Sequence, residues 1–443
     1  MEATLQEILD AREWRAEKQK ELLQQYQKPL LCFTMNIPGP EKWNREVSIG
    51  FTVGNLLLRE SLRSIVHYES HYTTAGCSAY YVVDMPARQL KRVAMDVEST
   101  GQIGRLFDMD VLGPDSTKVS REELGYKPRK CLICQEAAWV CARSRAHGLD
   151  ALQHKTCELL QDAQQWLAEY IAVTAYFALS QEVNTTPKPG LVDKNNCGAH
   201  KDMGLRHFFA STNALRPWFY RFAETGMQTK DLTPAETFTK IRTIGVEAEK
   251  AMRHATGGIN THKGAIFSMG LLCAAAGRIP PHEWSAESLL EECAAMTRGI
   301  VANDFSGITA ENATTAGERL YVKYGISGVR GQAEAGFPAI REVGLPVYKA
   351  ALRTGLSANH AGAVTLLHLI ACTDDTNLIH RSSRKRQLEI RQELQVLLKA
   401  NPYPSLDRIS ALDQQFIDEN LSPGGSADLL AMTYFLASIE KTL

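Results

Sequence analysis

The chain has 443 residues, 44% hydrophobic and 22% charged, and is too long for one hydrophobic core, which stops growing near ~250–300 residues, so two domains are expected. A formal net charge of -1 excludes a general attraction to nucleic acid or to an anionic membrane, and no run of about 18 apolar residues predicts a membrane span. Ten cysteines lie scattered, without the spacing of a secreted disulfide framework, and charged residues (Glu2, Glu7, Asp10, Arg12, Glu13, Arg15) stand where a signal peptide would be apolar. A cytoplasmic protein with reduced thiols is the expectation.

Along the chain, Leu5, Ile8, Leu9, Trp14, Leu22 and Leu23 recur at helical spacing and predict an amphipathic helix ending before Pro29. The texture then turns to short β-rich runs at 31–35, 47–53, 79–83 and 104–111, separated by turn residues such as Pro38-Gly39-Pro40, which predicts an α+β region. Beyond about Leu149 the periodicity is helical, with helices predicted over 159–181, 235–254, 263–276 and 286–302. This change of period places the join near residue 155 and makes the second domain all-α.

In the strand predicted over 104–111, alternation puts Phe107, Met109 and Val111 on one face and Asp108 and Asp110 on the other. Two carboxylates about 7 Å apart on an open strand face can hold Mg²⁺ against a polyphosphate. Downstream, Lys118, Arg121, Lys127, Arg129, Lys130, Arg143 and Arg145 outnumber Glu122, Glu123 and Glu136, a basic stretch suited to an acidic partner or a phosphorylated substrate. Cys131, Cys134, Cys141 and His147 carry metal-ligand chemistry, but 132–146 reads as a continuous helix. Ten helical residues would separate Cys131 from Cys141 by about 15 Å, so a buried thiol stripe is expected in place of a metal site.

In the helical half, Gly257-Gly258-Ile259-Asn260-Thr261-His262-Lys263 leads into a helix whose free N–H groups, with Asn260 or Thr261 as cap and Lys263 beside them, suit a phosphate. The loop 186–202 is broken by Pro187, Pro189, Gly190 and Gly198; it offers Lys188, Lys194, His200 and Lys201 to an anion and Asp193 and Asp202 to a metal. Further candidates are Arg330 for phosphate, Asp304 and Asp428 for a metal, and Glu247 or Glu249 as a base, at most one of which faces a given site.

Together these strings resemble two families joined head to tail. Asn36-Ile37-Pro38-Gly39-Pro40, Ala79-Tyr80-Tyr81-Val82-Val83-Asp84 and the run 104–111 resemble the apo-citrate lyase phosphoribosyl-dephospho-CoA transferases. Thr186 to Asp202, Ala255 to Gly264 and Ser422 to Asp428 resemble the triphosphoribosyl-dephospho-CoA synthases. The resemblance implies two domains, 1–160 with a nucleotidyltransferase-like α+β fold and 161–443 all-α. It also implies two steps, in which the synthase lets the ribose 2′-hydroxyl of 3′-dephospho-CoA displace adenine from ATP, keeping the triphosphate. The transferase then places the phosphoribosyl-dephospho-CoA group on a serine of the acyl carrier (gamma) subunit of citrate lyase, releasing pyrophosphate. Asp108 and Asp110 would hold Mg²⁺, the basic run would meet the carrier, and no nucleic acid or membrane is expected. Two rival readings are an ADP-ribosyl glycohydrolase-like hydrolase and a non-catalytic carrier-protein binding module.

Overall fold

A computed structural model describes residues 2–442, with side chains through Glu440. It divides into two compact units, Met1–Leu167 with Pro280–His282, and Ala168–Ile279 with Glu283–Leu443.

The first unit begins with α1 (Leu5–Tyr26), whose start is fixed by Thr4 and Glu7 in a reciprocal capping box. There follow β1 (Leu30–Met35), α2 (Arg45–Ser61), β2 (Ile65–Thr73), β3 (Gly76–Val83), α3 (Ala87–Glu98) and β4 (Phe107–Leu112). The strands form one antiparallel sheet in the order β2-β3-β1-β4. On one face Leu22 and Leu23 of α1 pack on Leu30, Cys32, Tyr80 and Val82. On the other, Phe33 stacks on Phe51 of α2 with ring centroids 4.8 Å apart and meets Phe107 edge-on at 5.2 Å. Such aromatic pairs add about 0.5–1.5 kcal/mol to the area they bury.

Three expectations are corrected here. The run 47–53 is no strand but the middle of α2, where Asn44 Oδ1 caps the Val47 amide at 2.9 Å and nearly every residue from Val47 to Leu56 is buried. A helix buried all round shows no polar face, so its β-branched residues imitate a core strand. The run 132–146 is helical only over α4 (Ala138–Ser144); before it the chain forms a tight hairpin in which the Cys131 amide bonds Glu136 O at 2.8 Å and the Ala138 amide bonds Arg129 O at 2.7 Å. Finally, 286–302 breaks at Gly299, whose φ of 78° interrupts the helical path.

From α5 (Leu149–Asn184) onward no strand occurs among the described residues. The helices are α6 (Leu205–Gln228), α7 (Pro234–Ala255), α8 (Lys263–Arg278), α9 (Ala286–Thr297), α10 (Ile300–Phe305), α11 (Ala316–Tyr324), α12 (Gly328–Glu334), α13 (Leu345–Arg353), α14 (Ala358–Cys372), α15 (Thr376–Arg381), α16 (Arg384–Ala400), α17 (Leu406–Asp418) and α18 (Gly424–Thr442). Helix α6 lies so close to α8 that a Cβ at Gly226 would strike the Ala274 carbonyl and one at Gly277 that of Ala223. Helix α18 is almost wholly buried from Leu429 to Phe435 and forms the spine of this unit. Among the described residues, no helix is long and apolar enough to cross a membrane.

Candidate functional site

In the first unit β4 alternates as its residue pattern dictates: Phe107, Met109 and Val111 are fully buried while Asp108 and Asp110 point to the opposite face. Asp108 stands opposite Thr34 and Asp110 opposite Cys32 in the sheet register, so these four side chains share a face. The side chain of Asp108 is 53% exposed and that of Asp110 39%. Each has a cation beside it, Arg129 Nη1 3.5 Å from Asp108 and Lys118 Nζ 2.7 Å from Asp110. The Asp108 carboxyl is nevertheless held above the usual range, by partial burial first and by the charge of Asp110 second. Two acids that repel one another on an accessible face fit a divalent cation, which would relieve that repulsion. Arg129 also donates to the Phe107 carbonyl, which locks it at the start of β4.

The second unit holds a cavity of about 1230 Å³. Helices α8, α11 and α18 open onto it, through Asn260 to Gly264, Thr315 to Gly317, and Ser422, Gly424 and Gly425; the first residues of the short α12 and α15 join them. Helix N-termini carry positive partial charge, which suits the cavity to an anion, although Asp375 already takes the first amides of α15 and the Ser426 amide of α18. Lys188, Lys263, Arg330, Arg381, Arg384 and Arg391 line it as well, with Glu182, Asp202, Asp374, Asp375 and Asp428 among them.

The polar groups fall into two kinds. Some are committed: Lys188 Nζ is buried against Glu182 Oε1 at 2.5 Å, and Asp374 accepts from Arg384 and Arg391 at 2.6 Å each. Asp375 caps α15 through the Asn377 and Leu378 amides and takes the Ser426 amide at 2.8 Å. Others are left for a ligand. His262 Nδ1 meets Ser211 Oγ at 2.7 Å, whereas its Nε2 and the hydroxyl of Thr261 are buried without a partner at the cavity wall. Burial, then the Lys188 charge, push the His262 pKa down to about 3, so the imidazole is neutral at physiological pH. The carboxyl of Asp428 is pushed well up by burial, then by Glu182 and Asp375. It lies so close to α8 that Gly264 has no room for a side chain. His200, by contrast, is already engaged, through Nε2 with Ser422 Oγ at 2.9 Å and through Nδ1 with Arg381 at 3.3 Å, and burial followed by the Arg381 charge lowers its pKa.

Of the residues singled out in the sequence, Lys188, His200, Asp202, Asn260, Thr261, His262, Lys263, Arg330 and Asp428 line this cavity. Gly257 and Gly258 lie outside its lining; they supply positive φ, 67° and 93°, to the turn that ends α7. Lys194 and Lys201 are exposed beyond the lining. Asp193 is the acceptor for the Lys188, Asn195 and Asn196 amides and so shapes the loop from within. Asp304 joins Arg242 to Arg330 at 2.8 and 2.7 Å. Glu247 pairs with Lys250 on the surface, and Glu249 holds Lys263 at 3.1 Å and Arg253 at 3.0 Å, which outweigh burial and lower its pKa. Among the described residues no three acids of the cavity come together as ligands for one ion. Glu182, Arg381, Arg384 and Arg391 are further lining residues: Glu182 near the end of α5, Arg381 closing the short α15, and Arg384 and Arg391 on α16, none of them within a glycine- or proline-marked motif.

Comparison with known proteins gives both units a transferase ancestry. Residues 168–443 match the family described as ATP:dephospho-CoA triphosphoribosyl transferase (CitG), and residues 3–163 match that described as apo-citrate lyase phosphoribosyl-dephospho-CoA transferase (CitX). The chain is 37% identical over 453 residues to "Protein CitXG" of Haemophilus influenzae, covering 99% of this chain and 96% of that protein. It is 32% identical over 459 residues to the protein of the same name from Leuconostoc mesenteroides, 99% of this chain and 98% of that one. The helical part is 41% identical over 282 residues to the probable 2-(5''-triphosphoribosyl)-3'-dephosphocoenzyme-A synthase of Citrobacter koseri, 62% of this chain and 93% of that protein. The chain belongs to the CitXG family, in which a CitX region precedes a CitG region.

Proposed function

We propose that the chain is a bifunctional transferase of the cytoplasm. It makes 2′-(5″-triphosphoribosyl)-3′-dephospho-CoA from ATP and 3′-dephospho-CoA with release of adenine. It then transfers the phosphoribosyl-dephospho-CoA group to a serine of the citrate lyase acyl carrier subunit with release of pyrophosphate. The observation that carries the first step is the meeting of several helix N-termini with Lys263, Arg330 and Arg381 in one cavity. That arrangement suits a polyphosphate, and about 1230 Å³ exceeds the ~300–1,000 Å³ of ordinary ligand pockets, as two nucleotide-sized substrates would need.

In that cavity the ATP phosphates lie against the amides at the start of α8 and α18. His262 Nε2 and Thr261 Oγ1 find their missing hydrogen bonds on substrate. Asp428 serves as the base: it takes the proton of the dephospho-CoA 2′-hydroxyl as the O2′–C1 bond forms and the bond from C1 to adenine breaks. A base works best with its pKa near the working pH, and the upward push on Asp428 moves it that way, whereas Glu249 is tied to cations and Glu247 lies outside the lining.

The first unit has a nucleotidyltransferase-like arrangement in this reading. Asp108 and Asp110 hold Mg²⁺, which when bound supplies charge neutralisation at the phosphate under attack and at pyrophosphate. Lys118 and Arg129, which stand beside the two aspartates, would add positive charge for the phosphate oxygens, and the basic stretch 118–145 would receive the acidic carrier. The test is to incubate the protein with ATP, dephospho-CoA and apo-carrier subunit and to weigh the carrier. A mass gain of one phosphoribosyl-dephospho-CoA group with equimolar adenine is expected; an unmodified carrier, or free triphosphoribose made without dephospho-CoA, refutes the assignment.

A further inference from the structure

We propose that Cys131, Cys134, Cys141 and His147 bind one structural Zn²⁺. Their ligand atoms all lie within 4.8 Å of one another, and Cys134 Sγ and Cys141 Sγ are 3.4 Å apart. A tetrahedral zinc with ~2.3 Å bonds to sulfur sets its thiolates roughly 3.8 Å apart, which the cluster brackets without rearrangement. Three thiolates and one imidazole, all supplied by the protein, form a closed set of four, with no position left for a reacting water.

Two further observations point to an ion. His147 Nε2 is buried with no hydrogen-bond partner, an unsatisfied atom that a metal would satisfy. Between residues 120 and 150 the buried residues are Cys131 and Cys141, while Tyr126, Ile133, Trp139 and Val140 are exposed. Thirty residues with no apolar core of their own cannot offset their ordering entropy by burial, and metal ligation is the usual substitute. The hairpin at 129–138 delivers Cys131 and Cys134, one turn of α4 delivers Cys141, and Arg145 in the left-handed region (φ 48°) turns the chain back to bring in His147. The Ile133 amide points at Cys131 Sγ from 3.5 Å, as an amide does toward a thiolate.

The site also has a bearing on the sheet. Arg105 donates to the Cys131 and Leu132 carbonyls at 2.7 and 2.9 Å, and Arg129, at the root of the hairpin, reaches Asp108. Zinc therefore holds the segment that places Arg129 beside the acidic pair.

The test uses the full-length protein, purified without chelator. Elemental analysis should give one zinc per chain, retained in Cys157→Ser and lost by more than half in Cys134→Ser and in Cys141→Ser. As a readout that does not depend on a variant folding, cobalt added to metal-stripped wild-type protein should give intense sulfur-to-metal charge-transfer absorption and the visible bands of a tetrahedral ion. Zinc no higher than background together with no such absorption would overturn the proposal. So would a Cys134–Cys141 disulfide found by mass in protein prepared under reducing conditions.

Discussion

Gly264 is the second residue of α8, and its missing side chain is what lets Asp428 approach. A Cβ there would come within 3.2 Å of Asp428 Cγ and closer still to Oδ2. To regain ordinary van der Waals separation of ~3.5–4.0 Å the carboxyl must retreat by roughly 1 Å or more. In Gly264→Ala the backbone itself is under no strain, and alanine favours a helix over glycine by up to about 1 kcal/mol. The clash falls on the tip of a side chain, so the fold can relieve it cheaply by turning Asp428 away. Misplacing a reacting group by about 1 Å costs on the order of 10²-fold in rate. The expected result is thus a thermal midpoint within a few degrees of wild type and adenine release slowed roughly 100-fold, measured chromatographically with ATP and dephospho-CoA. Transfer of pre-made triphosphoribosyl-dephospho-CoA to the carrier should be unchanged. Adenine release within about threefold of wild type would remove Asp428 from the reaction.

Three other outcomes follow from the same geometry. Asp108→Asn with Asp110→Asn should cut carrier labelling by on the order of 10²-fold or more while leaving adenine release intact, and loss of both activities would refute the division of labour. Asp428 has its folded pKa raised above the unfolded value of 3.8, so its burial costs stability that is absent below about pH 3.8 and grows as pH rises toward the folded pKa. Asp428→Asn should therefore melt higher than wild type at pH 7.5 and converge with it near pH 4, while releasing no adenine. Glu182→Gln leaves the Lys188 ammonium, 2% exposed, without its anion, which should destabilise the helical unit by about 3–5 kcal/mol in a denaturant titration; a loss below about 1 kcal/mol would show that water reaches the pair.

What the sequence disclosed depended on how local the signal was. The alternation of β4 is a two-residue period, so the orientation of Asp108 and Asp110 could be read from six letters. The start of α8 was marked by glycines and by the change of pattern at Lys263. By contrast, 47–53 looked like a strand because a helix buried on every side loses the polar stripe that identifies it. The hairpin at 129–138 was invisible because it contains no glycine or proline; ligand geometry, which no propensity encodes, fits it better than turn chemistry does. The cavity wall is harder still: Glu182 and Arg384 lie on helices far apart in the chain, and only the tertiary fold brings both to one cavity.

The amides that open α8 and α18 carry their partial charges whatever side chains stand beside them. If the phosphates rest on these amides as proposed, replacing a single exposed cation of the wall, Lys263 or Arg330, should weaken nucleotide retention only by degrees. Mutational drift, or an engineer, could consequently rebuild the rim to accept a different acceptor alcohol while the phosphate hold persists.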